Sequence, residues 1–180
     1  MKKIIALVLT ACLMMAVPAC AETIEAVQID WTEQSEQEFV DAGYSGSWVE
    51  LESVGCRLII PEGYEQTELS EEDVANEYVC RFYNAENGGA ISVFDSHIEG
   101  MEDLSSLGAA LKAQYPERTL QYLILNGEAA VASGVEEYDI MNVIFDLGDS
   151  RFVQIMFSPM SEANELLTAC IASIQFDLAE

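Results

Sequence analysis

One histidine, His97, stands in the whole chain, and any Ser-His-Asp or Cys-His nucleophile would have to be built on it. No Gly-x-Ser-x-Gly elbow occurs to lift a serine out of a sheet beside it. The neighbours of His97 are acidic: Asp95, Glu99, Glu102 and Asp103. The spacing Asp95-x-His97-x-Glu99-Gly100 matches the opening of a calcium loop, where oxygen ligands recur at every second position before a glycine turn. The bidentate acid such a loop needs at its twelfth position is here Ser106, so the motif is incomplete. Asp95, His97 and Glu99 remain as candidate ligands of a weak extracellular cation site. Helix capping by Asp103, with the other carboxylates simply solvated, explains the same residues with fewer assumptions.

Other chemistry-bearing stretches are equally sparse. Gly43-Tyr44-Ser45-Gly46-Ser47 is glycine-rich but precedes a strand and sits among carboxylates, which makes it a flexible entry to a sheet and a poor phosphate cradle. Trp31, Tyr44, Trp48 and Tyr64 would form a platform for sugar or peptide if the fold gathered them; core packing and edge cover are the commoner uses of such side chains. Two carboxylates at suitable separation would support acid-base hydrolysis, yet no spacing singles out a pair. No cofactor motif occurs, and the chain is expected to work without one.

Cysteine chemistry depends on the N-terminus. Met1-Lys2-Lys3, the apolar run from Ile4 to Val17 and Pro18-Ala19-Cys20-Ala21-Glu22 follow the basic, apolar and small-residue order of a secretory signal. A membrane-spanning helix would need about 20 apolar residues, more than this run supplies. Ala19-Cys20-Ala21 fits cleavage before Glu22 and release of a soluble product. Val17-Pro18-Ala19-Cys20 also resembles a loose lipobox in which Cys20 would carry lipid and tether the domain. Pro18 departs from the small residue expected there, which favours release; Leu9-Thr10-Ala11-Cys12 would leave an apolar stub. After cleavage Cys56, Cys80 and Cys170 remain, an odd number. Cys56 and Cys80 each fall in an expected strand, so a cross-strand disulfide is one reading. Three buried, inert thiols are the simpler one.

Charge narrows the partners. The chain holds 32 acidic and seven basic residues, a formal net charge of −25. Every acid lies after Ala21, whereas Lys2 and Lys3 lie within the signal. Nucleic acid and anionic head groups require a basic surface, so neither is expected to bind, and membrane contact would come only through a lipidated Cys20. A repulsive exterior that keeps an exported protein soluble accounts for the excess. Composition is too apolar and too periodic for a disordered acidic chain, and the length after the signal suits one domain.

These residues have to be positioned by the elements that the apolar periods define. Residues Asp30 to Ala42 predict a short helix, capped by the Asp30 to Glu33 spacing and weakly packed through Trp31, Phe39 and Ala42. From Trp48 the period becomes two: strands over Trp48 to Ser53 and Cys56 to Ile60, stopped by Pro61-Glu62-Gly63. Ser70-x-x-Asp73 caps a single helical turn. Tyr78 to Tyr83 and Ala90 to Phe94 form a hairpin across Asn87-Gly88-Gly89. Leu104, Leu107, Gly108, Leu111 and Tyr115 mark one helical face ended by Pro116. A meander follows over Leu120 to Leu125, Ala129 to Val135, Ile140 to Leu147 and Phe152 to Phe157. Ser161 is the expected N-cap of a last helix with a stripe of Leu166, Leu167, Cys170, Ile171 and Ile174. Met141, Val143 and Phe145 alternate with Ile140 and Ile144, so the sheet must be covered on both faces.

This order resembles the PsbP-like fold, shared by the extrinsic photosystem II subunit and the Ran-binding nuclear import factor and found in small bacterial secreted proteins and lipoproteins. Ile59-Ile60-Pro61-Glu62-Gly63-Tyr64, the Asn126-Gly127-Glu128-Ala129 turn and Phe152 to Pro159 before the last helix carry the likeness, over roughly Trp48 to Phe176. The resemblance implies an α+β domain whose antiparallel sheet of about six to eight strands is covered by helices on its faces, an α/β/α sandwich. It implies no active site, and neither relative's role carries over, because none of their functional residues matches a position here. The expected organisation is a signal peptide over 1–21, a helical segment over 22–45 and the PsbP-like domain over 46–180. The expected function is that of an exported, non-enzymatic binding or accessory module for a protein or small ligand; a carboxylate-based hydrolase and a lipid-anchored spacer are the alternatives.

Overall fold

Alternating apolar residues make most of this chain extended, and the computed structural model, which describes residues 26–176, pairs those segments into two sheets. The large sheet contains β1 (Val27–Ile29), β4 (Glu65–Gln66), β5 (Tyr78–Tyr83), β6 (Ala90–His97), β7 (Thr119–Leu125), β8 (Glu128–Val135), β9 (Ile140–Asp146) and β10 (Arg151–Ser158), in the order β1-β7-β8-β9-β10-β6-β5-β4. All its pairings are antiparallel except that β1 runs parallel to β7, with Gln28 opposite Ile124. The small sheet has the order β11-β3-β2, with β2 at Gly46–Leu51, β3 at Cys56–Pro61 and β11 at Gln175–Phe176.

The strands expected over Trp48 to Ser53 and Cys56 to Ile60 thus form a second sheet instead of joining the large one. β3 explains why: a strand apolar on both faces must be covered on both sides. Leu58 and Ile60 face the core shared with Val93, Val143 and Ile155 of the large sheet, while Ile59 packs outward on Phe39 and Ala169. β3 therefore lies between layers, and the Pro61–Gly63 corner, with Gly63 at φ 86°, carries the chain across to β4.

Among the described residues four α-helices complete the fold: α1 (Glu33–Asp41), α2 (Glu71–Ala75), α3 (Leu104–Gln114) and α4 (Met160–Ala172). Leu167, Cys170, Ile171 and Ile174 bring the α4 stripe into the inter-sheet core. On the opposite face of the large sheet, Leu107 of α3 packs on Ile144 and Phe152, so that sheet is covered on both sides as its sequence requires. The architecture is α+β and largely antiparallel, as expected. The N-terminal segment proves to be more than helical, since β1 joins the large sheet. α1 starts after Thr32, not Asp30, because the Thr32 side chain and Ser35 form the capping box. Phe39 is the one buried residue of α1, packed against Ile59 and Ala169, so the helix is held through a single anchor on the thin apolar face expected of it. α4 begins at Met160, with Pro159 in the cap position in place of Ser161.

Candidate functional site

The end of the molecule built by β2 gathers the features that could meet another molecule. Trp31 precedes the α1 capping box, and its backbone N–H donates to Asn126 Oδ1, which fixes the indole over the small sheet. There Trp31 meets Trp48 edge-on at 6.3 Å and Phe39 at 6.2 Å, and Phe39 meets Tyr44 at 5.6 Å. Three of the four aromatics named in the sequence therefore gather. Tyr64 does not, since it belongs to the core on the other side of the small sheet. Arg57, opposite Glu50 in the β2–β3 pairing, lies 5.1 Å from the Trp48 ring centroid and donates to Gln175 Oε1 at 2.8 Å and 3.0 Å. Trp48 is 37% exposed and supplies the open part of the cluster.

A cleft of about 420 Å³ lies beside the same strand. Gly46, Ser47 and Val49 of β2 form one wall, Pro61 and Glu62 close the end, Gln66 of β4 stands opposite, and the buried Tyr64 and Phe82 lie deepest. Glu62, held by the Ser45 hydroxyl, is the sole ionisable carboxylate in the lining. The carboxylate pair named as one route to acid-base hydrolysis is therefore not found together in this lining.

The backbone of β2 is as informative as its side chains. Ser45 C=O accepts from Glu62 N–H at 2.9 Å, and hydrogen-bonded pairs alternate along an antiparallel ladder. Ser47 and Val49 consequently exchange bonds with Ile60 and Leu58, while the N–H and C=O groups of Gly46, Trp48 and Glu50 turn to the other side. Among the described residues no strand pairs there, because β2 is the last strand of its sheet. Sequence reasoning missed this edge: alternation shows that a strand exists but not which neighbours it has.

The proposed cation ligands are placed differently from expectation. Asp95 and His97 lie in β6 and not in a loop, and Arg151 donates to both Asp95 carboxylate oxygens, at 2.8 Å and 2.6 Å. Register explains the pairing, since Arg151 sits opposite His97 and Asp95 opposite Val153. Among the described residues no group of three His, Cys, Asp or Glu side chains is arranged to hold a metal ion. Asp103 caps α3 by accepting from Ser106 N–H at 2.7 Å, and hydrogen bonds from Ser106 hold its carboxyl below the usual range. Bonds from Ser70, with help from Arg81, do the same to Asp73. A catalytic acid near neutral pH needs the opposite direction.

Cys56 and Cys80 belong to different sheets and face one another across the core, so they are not a cross-strand pair; both are free, as is Cys170. Burial pushes Cys56 and Cys170 up to about 12 and Cys80 to about 11, far from the range of a reactive thiolate. The segment expected to act as a signal, with Cys20, lies outside the described residues.

No family model matches the chain, and no curated protein matches it either. Solved structures do. The solution structure of cyanobacterial PsbP (CyanoP) from Synechocystis sp. PCC 6803 aligns with a TM-score of 0.52 at 12% identity, over 73% of this chain and 92% of that one. The Ran-binding protein Mog1p of Saccharomyces cerevisiae aligns with a TM-score of 0.43 at 12% identity, over 74% and 96%. The likeness to cyanobacterial PsbP establishes a PsbP-like fold, and at this identity it speaks to fold alone.

Proposed function

We propose that this chain is an exported, non-enzymatic accessory module that holds a partner against the end of the molecule formed by β2. The observation that carries this reading is the exposed Trp48 at an open sheet edge, backed by Trp31 and capped by Arg57. Large aromatics beside Arg are the side chains that dominate binding energy at interfaces, since they bury area with little loss of conformational freedom. The N-terminal basic-apolar-small order supports export. With 32 acidic residues the exterior repels anionic surfaces and favours a neutral or basic partner.

The test is site-specific. A photo-reactive benzoylphenylalanine in place of Trp48, in the cell that makes the protein, is expected to trap one discrete partner. The same group in place of Tyr138, an exposed aromatic in the β8–β9 connection, is expected to trap none. Equal trapping at both positions, or none at position 48, would reject the reading. Intact mass of the same preparation reports export: a start at Glu22 or a lipidated Cys20 supports it, and an uncleaved chain in the cytoplasm does not.

A further inference from the structure

We infer that the open edge of β2 takes up an extended basic peptide segment as an added strand, with a Lys or Arg side chain directed into the neighbouring cleft towards Glu62. This rests on the reading of the β2 end as a binding surface and specifies its occupant.

Sheet edges are normally blunted by shortness, proline, lysine or a bulge, because a bare edge pairs with any available strand. The other edges here are short: β1 has three residues, β4 two and β11 two. β2 has six, runs in unbroken register from Gly46↔Pro61 to Leu51↔Cys56, and contains neither proline nor lysine. Its outward amides and carbonyls at Gly46, Trp48 and Glu50 lie two residues apart, the repeat that an incoming strand presents. Main-chain bonds of this kind supply affinity in strand addition, and pockets for alternate side chains supply specificity. Both are present, because the cleft flanks the same strand, at Gly46, Ser47 and Val49, and is large enough for a long side chain.

Charge selects the occupant. Glu62 lines the cleft and is exposed, and Glu65 follows the corner, while Glu50, on the opposite face of β2, is matched by Arg57 across the strand pair. A basic segment meets complementary potential here, whereas a second copy of this chain brings its own 32 acids to the contact.

The probe is the blocked hexapeptide acetyl-Thr-Lys-Val-Lys-Val-Thr-amide, titrated into the protein as its host processes it and followed by amide NMR. The resonances of Gly46, Trp48 and Glu50 are expected to shift together with those of Glu62. Two further peptides carry N-methyl groups on alternate amides, one on the odd and one on the even positions. Strand pairing predicts that one of them binds about tenfold more weakly and the other does not, a difference that charge attraction alone cannot produce. A Glu-for-Lys peptide is expected not to bind, and Glu62→Gln to weaken the Lys peptide about threefold. Glu50→Pro removes one outward N–H without touching a bond to β3 and should weaken binding to a similar degree as methylation; if it fails to fold, the methylated series on the unaltered protein still decides. Equal binding of both methylated peptides, equal binding of the acidic peptide, or dimerisation through β2 without peptide would overturn the inference. Shifts at Tyr64 and Phe82 without shifts at the edge amides, or trapping at position 48 with no peptide response, would overturn the added strand while leaving this end a binding surface.

Discussion

Asn126 does more than turn the chain. With Gly127 it makes the two-residue connection between β7 and β8, at φ 52° and 94°, and the Asn-Gly pair announces that turn in the sequence. Its side chain then reaches away from the hairpin. Oδ1 accepts from Trp31 N–H, and Nδ2 donates to Ala172 C=O at 2.9 Å and Ile174 C=O at 2.6 Å. One amide thus joins the segment that carries Trp31, the hairpin and the end of α4. Asn126→Gly keeps the turn and leaves the Trp31 N–H and the two carbonyls unmatched, so a loss of about 2 to 3 kcal/mol is expected in denaturant unfolding. Asn126→Ala should cost about 1 kcal/mol more, because alanine resists the left-handed conformation; equal losses for the two would show that backbone conformation is unimportant here. The turn was legible because its signal is local. The bonds were not, since their partners lie 46 to 95 residues away.

α3 shows how an element can be read correctly for an incomplete reason. Its stripe of Leu104, Leu107, Gly108 and Leu111 identifies the buried face, and Asp103 caps it as expected. Gly108, though, is needed for space: a Cβ there would lie 2.3 Å from the Tyr122 hydroxyl oxygen and 3.2 Å from the ring carbon that bears it. Gly108→Ala should gain about 1 kcal/mol in helix propensity yet destabilise overall by about 1 to 2 kcal/mol through overpacking against β7. Adding Tyr122→Phe removes the nearest atom and should recover most of the loss, a coupling of at least about 1 kcal/mol in a double-mutant cycle. Simple additivity would mean that α3 yields instead of clashing. The same contrast holds along the chain. Capping boxes at Ser70 and Asp103, the hairpins and the meander were readable from neighbours a few residues apart. β1 was not, because three residues carry no period and its parallel partner lies almost a hundred positions away. β6 runs on to His97, beyond the apolar stretch, because Arg151 across the ladder neutralises Asp95. In the candidate site, the aromatic residues were visible one by one, whereas the open edge and the cleft exist only once two sheets have met.

At the scale of the molecule, the two sheets enclose one core, and its three thiols come from each layer: Cys56 from β3, Cys80 from β5 and Cys170 from α4. None can be reached without separating the layers. At pH 8 a native sample should therefore leave all three unreactive towards a thiol reagent, and labelling should begin only with global unfolding. A pH dependence follows from the same burial. Burial raises all three above the ordinary value of 9.0, so between about pH 9 and 12 the folded chain keeps protons that the unfolded chain gives up. The stabilisation is complete below the unfolded value and fades as pH rises towards the folded ones. Thermal midpoints measured from pH 7 to 11 should fall, and replacing Cys80 by Val, of similar size and without a proton to lose, should make that fall shallower. A slope that Cys80→Val leaves unchanged, or a thiol that labels at full rate below the unfolding transition, would show that the layers part locally and that the core between them is not one cooperative unit.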